Sequence, residues 1–340
     1  QAGILEDMPR LDYSGSCPAL LLEPQRTNFL NHGEYFGAWT LQAGGTGSAP
    51  VLEANTTDTL SPEGKYNAYK VTFNVGSGTT TGDESIMYRS KSGLTAGSDH
   101  TASVYLKGES GGEEVIVRDT EGSYKKWTLT TEWARYDYTQ VAAAPSYATS
   151  FGIRQGVVGI INSDAVVYMY GFQSELGSYP TSYIPTYGSS VTRSNDSGVL
   201  TALPDSLADN YTIFLELERM VPRLQNGVDM ISFYGSGSSR IRIQSHNPDY
   251  FRVRFYAADG STSGSLYETS GDFAQGNNYK AAIVYSNGTF KCFANGSLFG
   301  TLNAVIDVSS LYLRTECISK QLVTFPTALT DSECIALTTL

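Results

Sequence analysis

GFQSELGSYPTSYIPTYGSSVTR, residues 171–193, is the stretch whose reading decides the fold. Pro180 and Pro185 fix their own φ and push Tyr179 and Ile184 into extended backbone, which predicts a stiff strap. Tyr183 and Ile184 are the apolar residues that would pin this strap to a sheet. Sequence on either side is β-patterned, so the strap closes one run of strands and hands the chain to a second.

Toward the N-terminus the strands are legible by alternation. SVYLK (103–107), EVIVRD (114–119), KWTLT (126–130), ARYDYTQ (134–140) and VVYMYGFQSEL (166–176) are short, β-branched or aromatic, and separated by turn residues such as Gly111-Gly112 and Glu121-Gly122. Toward the C-terminus, YTIFLELER (211–219) places Tyr211, Ile213, Leu215 and Leu217 on one face and Phe214, Glu216 and Glu218 on the other. Asn295-Gly296 is a type I′ hairpin signal. Thr330 and Glu333 form a capping box that predicts a short terminal helix.

Composition agrees. The chain has 340 residues, more than one core usually serves, so two domains are expected. Aromatics are 12%, Gly is 34 residues and charged residues only 17%, a mix that suits strands and tight turns. The expectation is an all-β protein, two tandem antiparallel β-sandwiches of jelly-roll type with a short C-terminal helix. Its domain plan is an extension (1–28) packing on the first domain, a first sandwich (29–193), a linker (194–204) flexible near Ser194 to Leu200, and a second sandwich (205–340).

A net charge of −11 argues against nucleic acid as a partner, since backbone binding needs clustered Lys and Arg. Apolar runs are too short to span a bilayer as helices, so no membrane partner is expected. The sequence begins at Gln1 with no charged-then-apolar leader pattern, so no secretory signal is read from it. Cys17, Cys292, Cys317 and Cys334 lack metal-type spacing and allow three disulfide pairings; buried free thiols are the simpler reading.

LLLEPQRTNFL (20–30) and QSELGSYPTSYIPTYGSSVTR (173–193) together resemble the paired signature of a jelly-roll module found in bacteriophage tail, fibre and head-decoration proteins, a group similar to carbohydrate-binding modules. SPEGKYNAYKV (61–71), TASVYLKG (101–108) and TEWARY (131–136) fall at family-like places, with Lys65-Tyr66-Asn67 departing from the usual loop. Residues 205–340, ending FPTALTDSECIALTTL, are similar to a concanavalin A-like or laminin G-like sandwich. The resemblance implies a virion protein made in the host cytoplasm, with a glycan, other virion proteins and copies of itself as partners.

The sharpest constellation is the hairpin from Arg240 to Tyr256. Alternation puts Arg240, Arg242, Gln244 and His246 on one face, and Tyr250, Arg252, Arg254 and Tyr256 on one face beyond the Asn247-Pro248-Asp249 turn. Paired strands would gather four arginines, whose planar forks match carboxylate or sulfate, beside tyrosines that stack on sugar rings. The competing reading is a salt-bridge lattice with Glu216 and Glu218. Residue types used by some polysaccharide lyases on this sandwich (Arg242, Gln244, His246, Tyr250) are present, but their local strings do not match, and a non-enzymatic role is expected.

In the first domain Trp127, beside Tyr124, Lys125 and Lys126, is a candidate sugar-stacking platform, while Trp39 and Trp133 are expected in the core. No cofactor is required by any motif. A structural Ca²⁺ is the one the acidic loops Gly82-Asp83-Glu84, Glu113-Glu114 and Asp119 to Glu121 could hold, against the reading of solvated charge.

Overall fold

The computed structural model describes residues 11–12, 19–201, 203, 207, 210–219, 228–246, 250–271, 273–274, 276–314 and 317–339. These residues form two compact units, Gln25–Ser194, and Asn195–Leu340 joined by the segment ahead of Gln25. Both are antiparallel β-sandwiches of jelly-roll type, and the one α-helix among the described residues is Asp331–Thr338.

The first unit pairs two five-stranded sheets. One has the order Lys125–Thr128, Glu114–Arg118, Ser146–Arg154, Glu84–Ser92, Thr40–Gly44; the other runs Ala134–Val141, Asp99–Gly108, Asp164–Leu176, Tyr69–Asn74, Ser48–Glu53. Period-two alternation sends Val71, Phe73, Ala102, Val104, Leu106, Val167 and Met169 inward from the second sheet, and Met87, Val115, Val117, Phe151 and Ile153 inward from the first. A bulge between Tyr170 and Gln173, with Gly171 at φ +64°, reverses the alternation. Phe172 therefore enters the core, while Gln173 and Glu175 turn toward the strap.

That reversal explains the strap. Gln173 Oε1 accepts from the Ile184 amide at 2.7 Å, and Glu175 accepts from the Thr181 amide at 2.7 Å and the Thr181 hydroxyl at 2.6 Å. Asn28 closes the clasp from the other motif: Nδ2 donates to the carbonyl of Ile184 at 3.0 Å, and Oδ1 accepts from the amides of Leu30 and Ser174, each at 3.1 Å. Tyr183 and Ile184 are buried, as expected. Arg26 Nε lies 3.7 Å from Glu175. Burial holds the Glu175 carboxyl above the ordinary carboxylate range, against the pull of its Thr181 and Gln173 donors.

The second unit opposes a seven-stranded and a six-stranded sheet. The seven strands are, in order, Leu11–Asp12, Ala19–Leu21, Cys317–Phe325, Asn210–Arg219, Asn278–Ser286, Thr289–Ala294 and Ser297–Asn303. The six are Gly198–Leu200, Ser310–Leu313, Val228–Tyr234, Arg240–His246, Tyr250–Tyr256 and Thr262–Glu268. Tyr211, Ile213, Leu215 and Leu217 face the core as the alternation requires, and meet Phe233, Ile241, Ile243, Phe251, Val253 and Phe255. The terminal helix lies on the other side of the seven-stranded sheet, where Cys334 packs on Ala282, Val284 and Phe293. Its capping box forms as read, with Thr330 Oγ1 accepting from the Glu333 amide and Glu333 Oε2 accepting from the Thr330 amide at 2.8 Å. Asn295 and Gly296 both take positive φ, at 45° and 76°, as the hairpin signal demands.

Two boundaries differ from expectation. The apolar run that begins at Leu20 does form a strand, but Leu20 and Leu21 pair with Ser319 and Ile318, so the described residues ahead of Gln25 go with the second unit, and of the expected extension only Gln25–Asn28 belongs to the first. A three-residue apolar strand carries no information about its partner. Nor are the described residues 196–200 a free linker. Asp196 exchanges two hydrogen bonds with Glu23, at 2.8 and 2.9 Å, and Gly198–Leu200 pairs with Ser310–Leu313. Turn-forming residues here mark a crossing between sheets.

Candidate functional site

Arg240–His246 and Tyr250–Tyr256 are the fourth and fifth strands of the six-stranded sheet, and they pair in the register Arg240↔Tyr256, Arg242↔Arg254, Gln244↔Arg252, His246↔Tyr250. Every residue of the predicted polar row thus falls on one face, away from the core that holds Ile241, Ile243, Val253 and Phe255. The turn Asn247-Pro248-Asp249 lies outside the described residues.

Three of the four arginines converge on one ring, and the fourth, Arg252, lies 5.7 Å from the centroid of Tyr267. Guanidinium carbons of Arg240, Arg254 and Arg242 lie 4.0, 4.9 and 5.2 Å from the centroid of Tyr256. Arg242 and Arg254 are directly opposed across the strands, a like-charge arrangement that costs stability unless an anion answers it. Asp229 answers part of it: its Oδ2 is 3.2 Å from Arg242 Nη1, and its Oδ1 accepts from Gln244 Nε2 at 2.5 Å. Gln244 Oε1 then accepts from Arg252 Nε at 2.7 Å, and Arg252 Nη1 donates to the Tyr267 hydroxyl at 3.3 Å. Arg254 donates to Thr262 Oγ1 at 3.2 Å.

Among the described residues, Arg240, Arg252 and Arg254 have no carboxylate partner, although Arg252 is 8% exposed. A buried guanidinium held only by neutral acceptors retains most of its charge for a ligand. The expected lattice with Glu216 and Glu218 does not form. Those residues lie in the opposite sheet, where Glu216 accepts from Asn278 and Glu218 pairs with Lys320 at 3.0 Å.

Tyrosines flank the arginines on both sides. Tyr234 and Tyr312 meet edge to face at 4.8 Å on the side toward Ser310–Leu313, and Tyr267 meets His246 at 5.3 Å on the side toward Thr262–Glu268. Tyr312 is 36% exposed and Tyr267 41%. The face can therefore offer charge-assisted hydrogen bonds at its centre and aromatic surface at its margins.

No protein-family model matches the chain, and no curated protein matches its sequence. Solved structures resembling part of it include a native heptameric SAP-like pentraxin from Limulus polyphemus (13% identity, 40% of this chain and 73% of that one, TM-score 0.33). Others are the CBM40 module of the Ruminococcus gnavus IT-sialidase (14%, 39% and 84%, TM-score 0.31) and the binding domain of botulinum neurotoxin serotype D (10%, 42% and 39%, TM-score 0.34).

The other sequence candidates fare differently. Trp127 is not a platform: it is 6% exposed and packs against Phe151 and Tyr136 in the core. Its neighbours Lys125 and Lys126 suggested an open surface, yet alternation sends Lys126 to the face opposite Trp127, and Lys125 is exposed at the start of the strand while the indole two positions on is covered. Tyr124 is half-buried under Arg118, 4.5 Å from its ring centroid, and its hydroxyl accepts from Arg154 at 3.3 Å. Trp39 is in the core as expected, whereas Trp133 is half-buried outside it and donates to the carbonyl of Leu60 at 2.7 Å.

The acidic loops are committed to protein donors. Asp83 accepts from the amides of Thr46 and Thr80 at 2.8 and 2.9 Å and from both hydroxyls, which hold its carboxyl well below the usual range. Glu84 faces Arg154 at 3.3 Å, Glu113 accepts from the Ser110 amide, and Glu114 pairs with Lys126 at 2.6 Å. Asp119 is buried against Lys91, Thr149 and Ser174. Among the described residues no three His, Cys, Asp or Glu side chains converge to hold a metal ion. Cys292 and Cys334 are free buried thiols; the side chains of Cys17 and Cys317 lie outside the described residues.

Proposed function

We propose that this protein is a non-enzymatic attachment component that binds anionic glycans through the Arg240–Tyr256 face. One observation carries the reading: Arg242 and Arg254 oppose each other across paired strands, Arg240 and Arg252 adjoin them, and among the described residues Asp229 is the single carboxylate that pairs with any of the four. Such a cluster on a chain of net charge −11 is a local exception whose natural complement is a carboxylate or sulfate. Tyrosine rings at its edges suit the apolar faces of sugars.

The test is binding to arrayed neutral and acidic glycans, repeated with Arg254→Gln. Retention of acidic glycans, about a tenfold loss in the variant and weakening as salt rises are expected. Silence across both sets, or binding indifferent to Arg254→Gln, overturns the reading. Ultraviolet absorbance from unsaturated ends after incubation with uronate polymers would show cutting and remove the word non-enzymatic.

The place of action belongs to the same proposal. The resemblance of LLLEPQRTNFL and QSELGSYPTSYIPTYGSSVTR to virion modules supports a virion surface or fibre, with the chain in a homo-oligomer beside other virion proteins. Light scattering of the purified chain tests assembly, and a monomer at all concentrations argues against a fibre.

A further inference from the structure

Inside the first sandwich a charged pair is sealed from water. Lys91 and Asp119 are ion-paired, and neither side chain has any exposed surface. Lys91 stands near the end of Glu84–Ser92, and Asp119 directly follows Glu114–Arg118; the strand Ser146–Arg154 runs between those two and contributes Thr149. Ser174 reaches the same point from the facing sheet. The Lys91 ammonium donates to Asp119 Oδ1, to the Asp119 carbonyl, and to Thr149 Oγ1 at 2.7 Å. The two carboxylate oxygens have different surroundings. Oδ1 meets the ammonium and the Thr149 hydroxyl, which donates to it at 2.8 Å, whereas Oδ2 accepts from the Ser174 hydroxyl at 2.8 Å. Gln140 fixes Asp119 from behind, its Oε1 accepting from the Asp119 amide at 2.8 Å. Burying both charges costs more than their attraction readily returns. Burial also draws the Lys91 amine toward its neutral, nucleophilic form, against the pull of Asp119.

We propose that Lys91 and Asp119 condense into an intramolecular isopeptide bond. Lys91 Nζ attacks Asp119 Cγ, the Cγ–Oδ1 bond breaks, and the two protons given up by the ammonium leave with Oδ1 as water. Ammonium and carboxylate become a neutral amide and water, so atoms and charge balance with no oxidant or co-reactant. Ser174 holds the oxygen that remains as the amide carbonyl and stabilises the negative charge gathering there during attack. Thr149, bonded to both partners, is placed to pass a proton from Nζ to Oδ1. Two groups held in contact react without the entropy cost of meeting, and the product is neutral where the reactants were buried charges. The bond ties residues 28 positions apart across the strand between them. It is independent of the glycan reading.

The experiment is the intact mass of the full chain, unfolded in guanidinium chloride, followed by protease digestion. The parent should be lighter than its sequence by one water, and Lys91→Arg should have its full sequence mass. Digestion should place the loss on a branched peptide that joins the Lys91 and Asp119 segments and is uncut after Lys91. That peptide comes from the parent, so the test does not depend on whether a variant folds. Cyclisation of Gln1 loses ammonia instead, and dehydration at another aspartate leaves linear peptides. Ser174→Ala should slow closure about a hundredfold, so that freshly isolated chains include the full-mass form. A parent at its full sequence mass overturns the inference, as does a water loss found only on linear peptides. Closure of Ser174→Ala as fast as the parent overturns the assignment of Oδ2 as the retained carbonyl oxygen.

Discussion

Asn28 and Ile184 are joined through a side-chain amide: Asn28 Nδ2 donates to the Ile184 carbonyl at 3.0 Å, across 156 positions of sequence. The same side chain receives the amides of Leu30 and Ser174, so a fully buried Asn fastens the N-terminal motif, the last long strand and the strap at one point.

Asn28→Ala leaves buried backbone groups of Ser174, Leu30 and Ile184 without partners. The expected loss of stability in the first unit is about 3 kcal/mol, given ~1–3 kcal/mol for each buried group left unsatisfied. Urea unfolding followed by the fluorescence of the first unit's tryptophans measures it. A variant as stable as the parent would mean that water or a shifted strap replaces the clasp.

Trp127 should matter to stability and be silent in binding. Trp127→Ala removes a buried indole between Phe151 and Tyr136 and should cost about 3–5 kcal/mol. Trp127→Phe, which keeps a ring in place, should bind acidic glycans like the parent. Loss of glycan binding by a folded Phe variant would restore Trp127 as a contact residue.

Asp83 supplies a pH dependence of known sign. Its four donors hold the folded-state carboxyl below its unfolded value of ~3.9, so its stabilisation is fully present above that value. The advantage is lost as pH falls through the depressed folded value. The stability gap between parent and Asp83→Asn should therefore be widest near neutrality and narrow at the acid end. A gap that widens on acidification would contradict the assignment.

The terminal helix offers a smaller effect. Thr330→Ala removes the acceptor of the Glu333 amide and should lower stability of the second unit by about 1 kcal/mol. Because Thr330 and Glu333 bond reciprocally, adding Glu333→Ala should cost less than the sum of the single changes. Strict additivity in thermal melts would show that the two halves of the box act independently.

Much of the fold was legible because alternation is a local property. It placed Arg240, Arg242, Arg254 and Tyr256 on one face, and Ile213, Leu215 and Leu217 on another, before any partner strand was known. Partnership itself is not local. Asp229 as the answering carboxylate follows from a register shift between Asp229 and Ile231, and Tyr312 reaches the arginine row through a strand drawn from far along the chain. Glu216 and Glu218 looked available for the opposite reason: their spacing fits, but their sheet is the wrong one. Trp127 misled through its lysine neighbours, since charge beside an aromatic says little about the direction of the ring that follows.

Leu20 pairing with Ser319 means that the first sandwich is an insertion within the second. On the ribosome, residues 25–194 can fold as soon as they emerge, whereas the seven-stranded sheet must wait for nearly the last residues of the chain before its early strand finds Cys317–Phe325. A fragment beginning at Asn195 would lack that strand and leave the Cys317–Phe325 edge unpaired, a surface that invites strand addition. Cutting the first sandwich out between Gln25 and Ser194 leaves no such edge on the excised piece, so the two halves of this protein differ in how cleanly they can be separated.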